Sequence, residues 1–140
     1  MTMHLNPYIG FKNNAREAAE FYHSVFGGEL TISTFSELHA SKDPTEDNLV
    51  MHSALVIDGG LTLMMSDTPD RMEYKPGTNI SVSLSGDRED ETVLTGYWNK
   101  LIVNANVTMP LSTAVWGDSF GMCVDKFGIG WLINIAAASN

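Results

Sequence analysis

The stretch Trp116-Gly117-Asp118-Ser119-Phe120-Gly121-Met122-Cys123-Val124-Asp125-Lys126-Phe127-Gly128-Ile129-Gly130-Trp131-Leu132-Ile133-Asn134 decides the fold of this chain. Gly117-Asp118 interrupts two β-rich runs as a hairpin connection does, and Asp125-Lys126-Phe127-Gly128 forms a second turn before an apolar strand over residues 129–135. A weaker copy lies upstream, where residues 51–57 read as a strand, Asp58-Gly59-Gly60 as a turn and residues 61–66 as another strand. Laying Gly60 on Gly128 puts Leu63 on Trp131, Met64 on Leu132, Met65 on Ile133 and His52 on Phe120 without a gap.

Outward from these hairpins each half has the same order: an extended opening, a helix and three strand-like runs, first from residues 5–11 and again from Asn79. The pattern βαβββ, twice, predicts an α+β fold in one domain over residues 1–140, with modules of about 1–70 and 76–140. The first helix is expected to be capped at Asn13-Asn14, to carry Ala18, Phe21, Tyr22 and Val25 on its apolar face, and to stop at Gly27-Gly28. The second is expected near Asp87, where Glu89, Asp90 and Glu91 suit the positive end of a helix dipole, with Leu94, Tyr97, Trp98 and Leu101 as its stripe. Residues 39–48 and 67–78, rich in Pro, Ser and Asp, read as loops.

In residues 79–85, Ile80, Val82 and Leu84 alternate with Asn79, Ser81 and Ser83. One face should pack under the helices, and the other should line a polar concave pocket in a curved mixed sheet. By the same alternation His52 shares a face with Ala54 and Val56, pointing into the concavity, while Ser53, Leu55 and Ile57 face the other way.

Composition narrows the function classes. A chain of 140 residues, 44% hydrophobic, can bury one sizeable core. Its formal charge of −9 repels phosphate backbones and anionic membrane surfaces, so no nucleic-acid or membrane partner is expected. There is no basic leader and no run near the ~20 apolar residues of a membrane span, which makes a cytoplasmic location the expectation. The lone Cys123 has no internal disulfide partner and reads as a buried structural thiol. No Gly-x-Ser-x-Gly elbow or P-loop is present, and Gly128-Ile129-Gly130 opens a strand, unlike a dinucleotide-binding turn.

Asn6-Pro7-Tyr8, the Ala15 to Gly28 helix, Met64-Met65-Ser66-Asp67 and the Trp116 to Asn134 segment together resemble the PhnB-like branch of the glyoxalase/bleomycin resistance/dioxygenase superfamily, also called vicinal oxygen chelate. The resemblance covers essentially the whole chain and implies a homodimer. Superfamily members include metal-dependent isomerases, ring-cleaving dioxygenases, thiol transferases and drug-sequestering proteins, so the fold leaves the activity open. Catalytic members set His, Gln and Glu ligands at positions that match Pro7, Met64, Asn79 and Leu132 here. Neither these nor the neighbouring set Asn6, Met65, Ile80 and Ile133 offers imidazole or carboxylate, so no metal is expected there. His4, His23, His39 and His52 lack the spacing of a local chelate. Some relatives carry a methyltransferase label, yet no turn here suits an adenosylmethionine cofactor, and no cofactor is expected.

Two readings follow. The first is a metal-free module binding a small, partly apolar molecule through His52, Met64, Asn79, Ser81, Ser83, Trp116, Phe120 and Met122. The alternative is an enzyme on a small metabolite, of lyase, isomerase or dioxygenase type, with His52 as acid or base or with an unrecognised metal site.

Overall fold

Apolar alternation and two helical stripes give ten regular elements, and the computed structural model describes residues 3–138. Chain contacts gather into two compact units, Met1–Pro76 and Gly77–Asn140. The first holds β1 (Tyr8–Phe11), α1 (Ala15–Phe26), β2 (Glu29–Thr34), β3 (Val50–Ile57) and β4 (Leu61–Asp67). The second holds β5 (Ser81–Gly86), α2 (Glu91–Leu101), β6 (Asn106–Thr113), β7 (Ser119–Val124) and β8 (Gly130–Ile135). Each unit forms a four-stranded mixed sheet, ordered β1-β4-β3-β2 and β5-β8-β7-β6, so the fold is α+β with βαβββ made twice. Among the described residues no helix is long and apolar enough to cross a membrane.

The copy seen in the sequence is a copy in register. Ser53 pairs with Met65 and Leu55 with Leu63 in the first unit; Gly121 pairs with Ile133 and Cys123 with Trp131 in the second. Four of the five β3–β4 pairs become β7–β8 pairs on a constant shift of 68 positions. The edge strand in each sheet is parallel to this hairpin, with Tyr8 opposite Met64 and Ser83 opposite Leu132.

In the first unit α1 lies against β2, β3 and β4. It buries Ala15, Ala18, Ala19, Tyr22, Val25 and Phe26, above strand residues Leu55, Ile57, Leu63 and Met65. Phe21, expected in the stripe, is only half-buried and leans on Tyr22 with ring centroids 5.5 Å apart. Burying a Leu or Met side chain contributes about 1.5–3 kcal/mol, so this layer dominates the unit's stability. In the second unit α2 lies against β5 and β8 and buries Leu94, Trp98 and Leu101; Trp131, Ile133 and Ile135 are buried from the sheet.

Three local expectations change. Asn14 makes no side-chain cap; the first amide of α1, Ala15, donates 3.0 Å to Oδ1 of Asp67 at the end of β4. The other oxygen of this buried carboxylate accepts from Val50 N at 2.9 Å, so Asp67 ties helix start, β3 and β4 together. A distant carboxylate thereby does what a local Asn was expected to do. The fifth strand starts at Ser81, leaving Asn79 in a bend and Ile80 83% exposed instead of packed under a helix. The first strand likewise starts at Tyr8, not at Leu5.

Gly27 and Gly28 do end α1, with φ of 69° and 83°. At Gly28 a Cβ would stand 2.2 Å from Val56 O, so both backbone conformation and space require glycine. Asp87 and Asp90 cap each other reciprocally at a 3-10 turn, Arg88–Asp90, that runs into α2.

Candidate functional site

Side chains alternate across each sheet, so the register identifies which of them face away from the helix. In the first unit Tyr8, Met64, Ala54 and Thr31 lie in one row across β1, β4, β3 and β2. His52 and Ser33 pair in a neighbouring row. All are exposed or half-buried, whereas Ser53, Leu55 and Met65 between them are fully buried. His52 therefore stands on the face opposite α1.

Tyr8 and His52 sit two strands apart, yet their side chains meet. The Tyr8 hydroxyl is 3.3 Å from His52 Nδ1, and the ring centroids are 5.8 Å apart at an interplanar angle of 36°. The strand between them carries Ser66, opposite Gly10 of β1, and residues this small leave space for two rings to lean together. Sequence reasoning quoted Tyr8 only as part of a motif. A four-residue strand is too short for alternation to show, and the signal lay in its parallel register with Met64.

In the second unit the matching row holds Ser83, Leu132, Met122 and Met109, followed by Asn134, Phe120 and Ser112. Ser81 lies opposite Gly130, whose absent Cβ would be 2.7 Å from Ser81 Oγ. Ser81 and Ser83 are exposed; Phe120, Met122 and Leu132 are half-buried. Asn79 lies ahead of this row in its bend, and Trp116 is at the tip of the β6–β7 turn, 68% exposed. That turn is fixed by Arg88, which donates to Gly117 O at 3.0 Å and to Ser119 Oγ at 3.3 Å.

Charge is scarce on both faces. In the first, the only charged strand residue of this alternation is Glu29, in the Val56 row at the end away from His52; in the second there is none. Of the positions that the family resemblance matches to metal ligands, Met64 lies opposite Tyr8 and Leu132 opposite Ser83. A phenol, a thioether, a hydroxyl and an alkyl group do not fit a hard divalent ion.

Other ionisable groups serve the scaffold. Asp43, Glu46 and Asp70 bring their ligand atoms within 4.8 Å of one another. Buried Glu46 accepts from Ser41 Oγ at 2.7 Å and Asp70 N at 2.8 Å, while Lys12 Nζ stands 2.7 Å from Asp70, so the group fastens two loops. The Asp43 carboxyl is held below the usual value of 3.8 by the Thr45 hydroxyl and the Thr45 amide. Cys123 is 2% exposed and its thiol is pushed up to about 11, chiefly by burial and then by the charge of Asp125. It is the inert structural thiol expected. Asp125, also buried, accepts from Phe127 N at 2.8 Å, Ile129 N at 3.0 Å and Trp131 Nε1 at 2.8 Å.

With this geometry in view, comparison with known proteins places the chain. It is 32% identical to protein PA1353 from Pseudomonas aeruginosa, a solved structure, with a TM-score of 0.81 over 97% of this chain and 99% of that one. It is 22% identical to a PhnB protein from Bacillus cereus, with a TM-score of 0.74 over 96% and 100% of the two chains. A glyoxalase/bleomycin resistance/dioxygenase domain from Frankia shares the fold at a TM-score of 0.65 and 12% identity, over 100% of this chain and 96% of that one. The model of the family described as 3-demethylubiquinone-9 3-methyltransferase matches residues 3–134. The chain therefore belongs to that family, and it shares its fold with the PhnB and glyoxalase/bleomycin resistance/dioxygenase structures.

Proposed function

We propose that this protein binds a small, uncharged organic molecule on the helix-free faces of its sheets, without a metal at the superfamily position. One observation carries the reading: these faces combine soft apolar surface from Met64, Phe120, Met122 and Leu132 with isolated orienting groups, His52, Ser81 and Ser83. Surfaces of this kind hold ligands by apolar area and use a few polar groups for orientation. Asn79 and Trp116 stand at the margins of the second face and are proposed to contact only the larger ligands. We take the protein to act in the cytoplasm and, as the family resemblance implies, as a homodimer.

The family description names a methyltransferase. A bound adenosyl methyl donor calls for a strand-to-helix turn that cradles it; here those connections are Lys12-Asn13-Asn14 and the Asp87–Asp90 capping box. Neither is glycine-rich, and the residues do not fit such a group.

The test is a thermal-shift screen of the untagged protein against uncharged aromatic and heterocyclic compounds, followed by calorimetry. Hits should lose affinity in His52→Ala or Met122→Ala, according to the face they occupy, while both variants keep the wild-type circular dichroism. A screen giving only charged hits, or hits indifferent to both variants, refutes the reading. Metal analysis of the same preparation should give far less than one equivalent, and sedimentation should give a dimer.

A second reading, an enzyme on a small metabolite with His52 as acid or base, draws support from the Tyr8–His52 contact. Product formation from a binding hit, abolished by His52→Ala, would establish it.

A further inference from the structure

We propose that Tyr8 holds the His52 imidazole in the tautomer whose Nε2 carries the proton, so that the first sheet presents a hydrogen-bond donor to a neutral carbonyl oxygen of the ligand. The proposal rests on the small-molecule reading above and names the ligand chemistry of that site.

The 3.3 Å contact between Tyr8 Oη and His52 Nδ1 has one proton to place. A phenol is a good donor and a poor acceptor, whereas an unprotonated imidazole nitrogen is the more basic atom, so the hydroxyl proton goes to Nδ1. With Nδ1 accepting, the neutral ring carries its hydrogen on Nε2. A protonated ring would carry one there as well, so Nε2 presents a donor in either charge state that leaves Tyr8 in place. None of the hydrogen bonds of the structure uses His52 Nε2 among the described residues, and the ring is half-buried, accessible to a ligand.

What a donor selects depends on its surroundings. Neither Lys nor Arg occurs in this alternation of β1, β4, β3 and β2, and Glu29 and a chain charge of −9 disfavour anions. Beside the donor lie Met64 and Ala54, which offer apolar contact. The matching ligand is a neutral acceptor on an apolar body: a ketone, ester or amide. Tyr8 is then a positioning residue that acts through His52.

Two measurements test the proposal. Long-range proton–nitrogen correlation spectra of 15N-labelled protein at pH ~8.5, above the ordinary imidazole value of ~6.5, report which ring nitrogen is protonated. Wild type should show Nδ1 bare and Nε2 protonated, and Tyr8→Phe should drift toward the free-imidazole mixture. Protonated Nδ1 in the wild type, or an unchanged ratio in Tyr8→Phe, overturns the role of Tyr8. Titration with acetophenone and ethylbenzene, which differ in the carbonyl, tests the ligand class. The ketone should bind about 2- to 13-fold tighter, and His52→Ala should remove the difference. Equal binding of both probes overturns the donor claim while small-molecule binding stands. If neither probe binds, the ligand claim falls together with the function proposed for this face, and the tautomer result still decides Tyr8.

Discussion

Replacing Asp125 by Asn changes almost no volume, yet it should destabilise the second unit by about 2–4 kcal/mol. The native carboxylate is buried and accepts three hydrogen bonds, two from turn amides at one oxygen and one from the Trp131 indole at the other. An Asn oxygen can serve only one side, and its amino group then confronts an N–H donor on the other. One buried donor is left without that acceptor, at about 1–3 kcal/mol, and the remaining bonds lose charge assistance worth about 1 kcal/mol. Urea unfolding followed by tryptophan fluorescence is the direct assay, because Trp98, Trp116 and Trp131 all lie in this unit. With a slope of ~1–3 kcal/mol/M, the midpoint should fall by about 0.7 M or more. The Trp131 indole proton should also lose its protection from exchange. A midpoint within ~0.3 M of wild type, at unchanged slope, would refute the claim that this carboxylate holds turn and indole together.

Asp67→Asn should act in the same way on the first unit, losing about 2–3 kcal/mol by far-ultraviolet circular dichroism, since one of its two buried amide partners loses its acceptor. Gly28→Ala should cost more than ~2 kcal/mol in denaturant, because positive φ and the Val56 carbonyl 2.2 Å from the new Cβ are penalised together. Native Cys123, at about 11 against the ordinary 9.0, should react with a disulfide reagent at pH 8 at least about 10-fold more slowly than in urea, since the loss of thiolate outweighs its greater nucleophilicity; equal rates would contradict its burial. Asp43 is depressed in the folded state, so its contribution is present above pH 3.8 and is lost as pH falls through the lower folded value. Thr45→Val should return its titration toward 3.8 by NMR.

Much of the fold was legible because its signals are local. Gly59-Gly60 and Gly128 mark the turns, and the gap-free match of Met64 with Leu132 predicted a register that both hairpins keep. That His52 shares a strand face with Ala54, and Ser81 with Ser83, was legible because alternation needs only sequence parity. What escaped was long-range. The cap of α1 comes from Asp67, 52 residues away from Ala15, and no local pattern announces it. Tyr8 escaped because its meaning comes from a parallel neighbour and a side chain reaching over β4. Asn79 and Ile80 continued an alternation that the backbone abandons before Ser81, because period two in a sequence persists whether or not a partner strand is present.

The constant 68-position shift between the two hairpins also bears on how such a chain can change. Between the two units, the length differences lie outside β3–β4 and β7–β8. The β2–β3 connection is longer than its β6–β7 counterpart: Thr31 to Ala54 spans 23 positions and Met109 to Met122 spans 13. Recombination that exchanged one central hairpin for the other would keep the four rungs that the two ladders share. The same exchange drawn through an edge strand would shift the register and turn a core face outward. The two central hairpins are thus the segments over which the halves match in both length and register.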